Sequence, residues 1–251
     1  MIDILLPVFL LSLVLLGIHS YFGLEIINRG IIFTDLAVGQ MAAVGAGISL
    51  FFFDGSHLYV TSLFFAIVGA LLISLATRRV KYLEAFIGLL YAFGISFVFI
   101  LMSRSAHGME EFHQLMAADI LFTALPDILK AAVFYVILGI VIYIFNKKTS
   151  GFLKEVLFFL TFSLTVTTAV KLAGVLVVFA ILISPAVIAK TVGRGNLIIV
   201  AWITGTIINL GAIIVSYNFD FPTGYTLVFL HSIFAIAFTL IKKSRSPESP
   251  C

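Results

Sequence analysis

The sequence predicts an all-α fold: a polytopic membrane protein with about nine transmembrane helices, some short or broken, N-terminus outside and C-terminus inside. Composition is the first reason. Of 251 residues, 62% are hydrophobic and 11% are charged, and the mean hydropathy is +1.21. A soluble domain carries about 25% charged residues. The second reason is spacing: apolar runs near the roughly 20 residues a helical span needs recur along the chain. The third is the placement of Lys and Arg in alternate connections, which sets orientation.

The first span is expected near 4–22. Asp3 precedes it, no basic n-region does, and no small-residue cleavage site follows, so it reads as a retained helix rather than a signal peptide. Further spans are expected near 31–53, 58–76, 84–102, 128–146, 196–217 and 223–241. The apolar stretch from Val156 to Ala189 is interrupted by Lys171 and Pro185. It is too long for one span, and each half, at about 15 to 18 residues or roughly 22–27 Å, is short against a core of about 30 Å. Such elements are tolerated where they face protein or a water-filled cavity.

Basic residues follow the third span (Arg78, Arg79, Lys81), the fifth (Lys147, Lys148, Lys154) and the seventh (Lys190, Arg194), and recur at Lys242, Lys243 and Arg245. The connections DGSH and NFDFPTGY have none. Arg104 and Lys171 dissent, falling on the outer side. Residues 1–243 are expected to form one transmembrane domain, and 244–251, the polar SRSPESPC, reads as a disordered tail. One cysteine, Cys251, excludes an internal disulfide or a cysteine-based zinc site. No Walker A, G-x-S-x-G or HExxH motif occurs, so no enzymatic activity of its own is expected, and topology accounts for the basic residues without nucleic acid.

What remains is polarity inside the spans. GIIFTDLAVGQMAAVGAG carries Asp35 and Gln40. A carboxylate within a span costs about 2.5–3.5 kcal/mol on insertion scales and normally faces a bundle interior. Asp35 reads either as a metal or proton site on a translocation path or as an interfacial partner of Arg29, about 9 Å away along the axis. Gln40 lies about 140° around the helix from Asp35; alone, it fits an interhelical hydrogen bond. Gly39, Ala42, Ala43, Gly45, Ala46 and Gly47 permit close helix contact. The outer connection RSAHGMEEFHQLMAAD places His107, Glu110, Glu111 and His113 within seven residues. They could meet a divalent cation, or form an ordinary solvated loop helix. His19, His57 and His231 read as packed or interfacial. Lys171 either snorkels outward or counters an internal carboxylate.

KLAGVLVVFAILISPAVIAK (171–190) resembles the signature of the metal-type ABC transporter permeases, which import zinc, manganese or iron(II). Gly174, Val175, Leu176, Val178, Phe179, Ala180, Pro185, Ala186 and Ala189 fall in place. RGIIFTDLAVGQMAAVGAG is similar to that family's second helix, and EAFIGLLYAFGISFVFILMSRSAHGMEEF to a divergent branch's following stretch. The resemblance implies a homodimer in a prokaryotic cytoplasmic membrane. It implies metal delivery by an extracytoplasmic binding protein, a cytoplasmic ATP-binding-cassette ATPase, and alternating access driven by that partner. The loop around 184–196, with Ser184, Pro185, Lys190 and Arg194, is the expected ATPase-coupling contact. No cofactor is expected beyond the transported ion, zinc first, then manganese or iron. Membrane lipid is the surrounding partner.

Three departures stand out. Many relatives carry G-D-A-L-S-H in the second helix, with Asp and His four apart as ligands. Aligned on the later glycine, Leu36 and Gln40 occupy those positions, with Asp35 one residue early. The cytoplasmic segment FNKKTSGFLKEV is shorter than usual, and so is the chain. Two other classes compete: a secondary carrier using Asp35 as its protonatable or ion-binding group without an ATPase, and a non-transporting membrane subunit that docks partners.

Overall fold

The computed structural model describes residues 2–105, 110 and 120–241. Among these there is no strand. The helices are α1 (Ile2–Arg29), α2 (Thr34–Phe53), α3 (Leu58–Arg79), α4 (Leu83–Met102), α5 (Leu125–Lys148), α6 (Gly151–Ala173), α7 (Val175–Val192), α8 (Leu197–Phe219) and α9 (Thr223–Ile241), with a 3-10 turn at Ile120–Phe122. Nine of the described helices are long and apolar enough to cross a membrane.

Two corrections concern boundaries. The first helix does not stop near residue 22 but continues to Arg29. Its charged end is accommodated because Arg29 pairs with Glu25 at 3.5 Å and with Glu155 of α6. The stretch 156–189, read as two short halves interrupted at Lys171 and Pro185, is not short. It belongs to helices of 23 and 18 residues, each long enough to span, divided at Gly174. Gly174 has φ 81° and ψ 156°, a region essentially restricted to glycine. Pro185 lies inside α7, fully within the packed bundle.

Packing defines two groups. In one, α2 lies against both α3 and α4; in the other, α1, α7, α8 and α9 pack together. Helix α6 joins them, touching α2, α3 and α7, and α5 sits beside α1 and α6. Phe22, Phe158 and Phe162 form an aromatic node between α1 and α6, with ring centroids 5.1–6.2 Å apart. Each such pair contributes about 0.5–1.5 kcal/mol beyond its buried area. Association in lipid relies on close packing rather than a hydrophobic drive, and α2 is built for it. In its membrane-length window 61% of residues are buried, against 17% in α9. At Gly45 the backbone of α3 comes so close that a Cβ would collide with the Thr61 carbonyl and stand 2.7 Å from Ser62 Cα.

Candidate functional site

Four positions of α2 share one helical face: Asp35, Gly39, Ala42 and Ala46, spaced by four, three and four residues. Three of them line a cavity of about 260 Å³ between α2, α3 and α6. Its other walls are Ala43, Leu58, Tyr59, Ser62, Thr167, Val170 and Lys171. A second cavity of about 250 Å³ shares Tyr59 and Lys171 and adds Asp127, Lys130 and Thr168. Both lie at the end of the bundle where α2 turns into α3 and α6 into α7. Asp35 stands one helical turn beyond Gly39, about 6 Å toward the opposite end.

Asp35 is 1% exposed, and neither carboxylate oxygen has a hydrogen-bond partner among the described residues. It occupies the first turn of α2, where the helix dipole favours negative charge. That offsets only part of the cost of a buried, unpaired carboxylate. The neighbouring polar groups are engaged elsewhere. Thr34 donates to the Ile31 carbonyl at 2.7 Å, and the Phe33 N–H donates to Glu84 Oε1 at 3.1 Å. Arg29, the alternative partner considered for Asp35, is held by Glu155 and Glu25 and lies 4.0 Å over the Phe158 ring. The interfacial ion pair is therefore not formed.

Gln40 points elsewhere, as the 140° separation requires. It is half-buried against α4, where a Cβ on Gly94 would sit 2.9 Å from Gln40 Cβ. Asp35 and Gln40 do not converge. Glu110 is exposed, and His107, Glu111 and His113 lie outside the described residues. Among the described residues no three His, Cys, Asp or Glu side chains gather into a metal-binding group.

The presumed coupling loop is largely helix. Ser184 and Pro185 are buried in α7, Ser184 donating to the His231 carbonyl at 2.7 Å. Helix α7 runs to Val192, so only the turn 193–196, with exposed Arg194, projects from the bundle. Lys190, in the last turn, donates to Asn28 of α1. His231 Nε2–H donates to Asn209 Oδ1 at 2.8 Å, and His19 Nδ1–H to the Leu15 carbonyl at 2.7 Å. Both rings are fully buried, while His57 is exposed at the start of α3.

Sequence reading missed Tyr59, Ser62 and Thr167 as cavity residues. The glycine and alanine stripe of α2 was the available signal, because small residues on one face leave space unless a neighbour fills it. Lys171 adds an electrostatic constraint. At an effective dielectric near 20, a divalent ion about 6 Å from an ammonium is opposed by about 5 kcal/mol. Two larger perimeter grooves, of about 570 and 550 Å³, contain no Asp, Glu, Lys, Arg or His.

Among the described residues, nine helices long enough to cross a membrane, a cavity between three of them, and a buried unpaired carboxylate on the α2 face that lines it suit a transport protein. The model of the ABC 3 transport family matches residues 1–242, and the chain belongs to that family. It is 24% identical, over 98% of its length and 92% of the relative's, to a probable metal transport system membrane protein of Chlamydia pneumoniae. The fold matches PsaBC from Streptococcus pneumoniae, solved in complex with Fab, at a TM-score of 0.72 and 18% identity, covering 92% of this chain and 89% of that one. It also matches an inward-facing conformation of a putative metal-chelate type ABC transporter at a TM-score of 0.69 and 17% identity, covering 94% and 85%. The resemblance read from residues 171–190 thus holds at the level of the family.

Proposed function

We propose that this chain is the membrane-spanning permease subunit of an ABC importer for a divalent metal, zinc before manganese or iron(II), acting by alternating access. The observation that carries this reading is Asp35: buried, without a partner, and one turn from a cavity on the same face of α2. Intramembrane carboxylates of this kind mark ion pathways. Family membership and the metal transport relative support it.

In this reading ATP hydrolysis belongs to a cytoplasmic partner. The turn at 193–196 carries Arg194 toward that partner, and Ser184 and Pro185 act by shaping α7 rather than by contact. An extracytoplasmic metal-binding protein delivers to the cavity end, and two copies of the permease pair in a prokaryotic cytoplasmic membrane. The secondary-carrier reading draws on the same carboxylate, since an unpartnered Asp35 could equally bind a proton.

The orientation predicts that a cysteine at Ser56 is labelled by an impermeant thiol reagent from outside and one at Thr149 is not. The opposite pattern would invert the proposed topology. The function is tested by metal accumulation in cells with and without the chain, across zinc, manganese and iron(II). Accumulation of one of the three should fall at least about tenfold without it, a change of about 1.4 kcal/mol. Equal accumulation of all three refutes the proposal.

A further inference from the structure

We infer that the perimeter groove between α1, α5 and α8 binds one anionic phospholipid, with an acyl chain in the groove and the phosphate at its lysine-bearing mouth. The groove has a volume of about 550 Å³, roughly 18 times a water's share of liquid volume, the bulk of one long acyl chain. On α5 it runs from residue 132 to 146, roughly 21 Å at 1.5 Å per residue, against about 15 Å for half of the apolar core. Two glycines make the space: a Cβ at Gly17 of α1 or at Gly139 of α5 would have nothing within 4 Å. Only 22% of the membrane-length window of α5 is buried, so most of that helix is left to whatever surrounds the bundle.

The polar groups of the groove gather at one end. Tyr21, Tyr143 and Asn146 stand there, where α5 turns into α6, and the Asn146 side-chain N–H donates to the Tyr21 hydroxyl at 2.8 Å. Trp202 of α8 closes the side, its indole N–H donating to the Gly17 carbonyl at 3.2 Å. Tyr135, deeper in, turns its hydroxyl inward to the Thr165 carbonyl at 3.4 Å. Tyrosine and tryptophan gathered toward one end of a membrane bundle mark the headgroup level.

Charge decides the headgroup. Lys147 lies beside the mouth, its ammonium 2.6 Å from the Tyr143 hydroxyl and 4.4 Å from the centre of that ring. Lys154 borders the small cleft that continues the groove past Tyr21 and Asn146, and Lys148 is exposed next to Lys147. None of the three has an ion-pair partner among the described residues. The carboxylates at this end of α1 and α6, Glu25 and Glu155, are both held by Arg29. Uncompensated ammonium groups at the mouth of an apolar trough suit a ligand with a phosphate and a hydrocarbon tail, since ammonium–phosphate bonds are charge-assisted. A zwitterionic lipid would bring its own cation against them. A second copy of this chain, pairing through the same face about a two-fold axis, would set the lysines against their own counterparts.

Trp202 is the one tryptophan of the chain, so its fluorescence reports on this groove. The test reconstitutes the full chain in phosphatidylcholine vesicles and follows Trp202 emission as brominated phosphatidylglycerol, or brominated phosphatidylcholine of the same chain length, replaces unlabelled lipid. Brominated chains quench at contact. Phosphatidylglycerol should occupy the groove about fivefold more strongly than phosphatidylcholine, the scale of a juxtamembrane lysine's attraction for anionic lipid. The double substitution Lys147→Gln, Lys154→Gln should bring the two lipids close to parity. Gly139→Leu, which has open space to enter, should also remove the preference, by filling the groove while leaving the lysines in place. A preference that survives Gly139→Leu is general attraction to a basic surface and overturns the site. Equal quenching by the two lipids in the wild type overturns it as well. No quenching by either lipid would mean that protein covers the groove, and overturns it in favour of an interface between copies.

Discussion

Replacing Asp35 by Asn is expected to lower metal uptake at least about tenfold, equivalent to 1.4 kcal/mol, while the protein still inserts and folds. The substitution keeps shape and removes charge. Asp35 is buried with both oxygens unpartnered, so its charge opposes folding. Neutralising it should leave thermal stability in detergent unchanged or raised. Loss of transport without loss of stability is the mark of a group retained for function. Uptake at the wild-type rate would take Asp35 off the path. Lower stability in Asp35→Asn would instead show that the carboxylate is structurally paired.

The second large effect is structural. Gly45→Val should destabilise the bundle by about 3 kcal/mol or more, the upper range for overpacking. The obstruction is the backbone of α3 at Thr61 and Ser62, which cannot rotate aside as a side chain can. Separating α2 from α3 would also open the cavity that both helices line. The expected readout is a sharp fall in the amount of folded protein extracted from membranes. Gly88→Ala is the control: nothing lies within 4 Å of a Cβ there, and alanine favours the helix by about 1 kcal/mol. Equal behaviour of the two variants would mean that the α2–α3 approach is not a determinant of the fold.

The number of spans and the enclosed character of α2 were legible because they rest on composition and periodicity. Of the two interruptions read in 156–189, the one beside Lys171 divides α6 from α7, and Pro185 does not, for a physical reason. Pro185 removes one donor, which a surrounded membrane helix can accommodate. Gly174 instead adopts a backbone conformation that ends one helix and begins the next. The extent of α1 was hidden for a different reason. Arg29 finds Glu155, 126 residues away in sequence, and no local pattern reveals such a partner. The candidate site divides similarly. Asp35 was visible as an anomaly in an apolar run, and its face on α2 follows from helical geometry alone. That this face borders a cavity closed by Tyr59, Thr167 and Lys171 depends on how three distant helices meet. Gln40 reads in sequence as part of a polar pair, yet it belongs to the α2–α4 contact at Gly94.

The lone carboxylate serves an ATP-driven permease and a proton-coupled carrier equally well, and the energy source separates them. The decisive measurement is metal entry into sealed vesicles containing this chain and its ATPase, energised either by ATP or by an imposed proton gradient alone. The proposed mechanism predicts entry with ATP, none with a non-hydrolysable analogue, and none with the gradient. Gradient-driven entry in vesicles lacking the ATPase would contradict it.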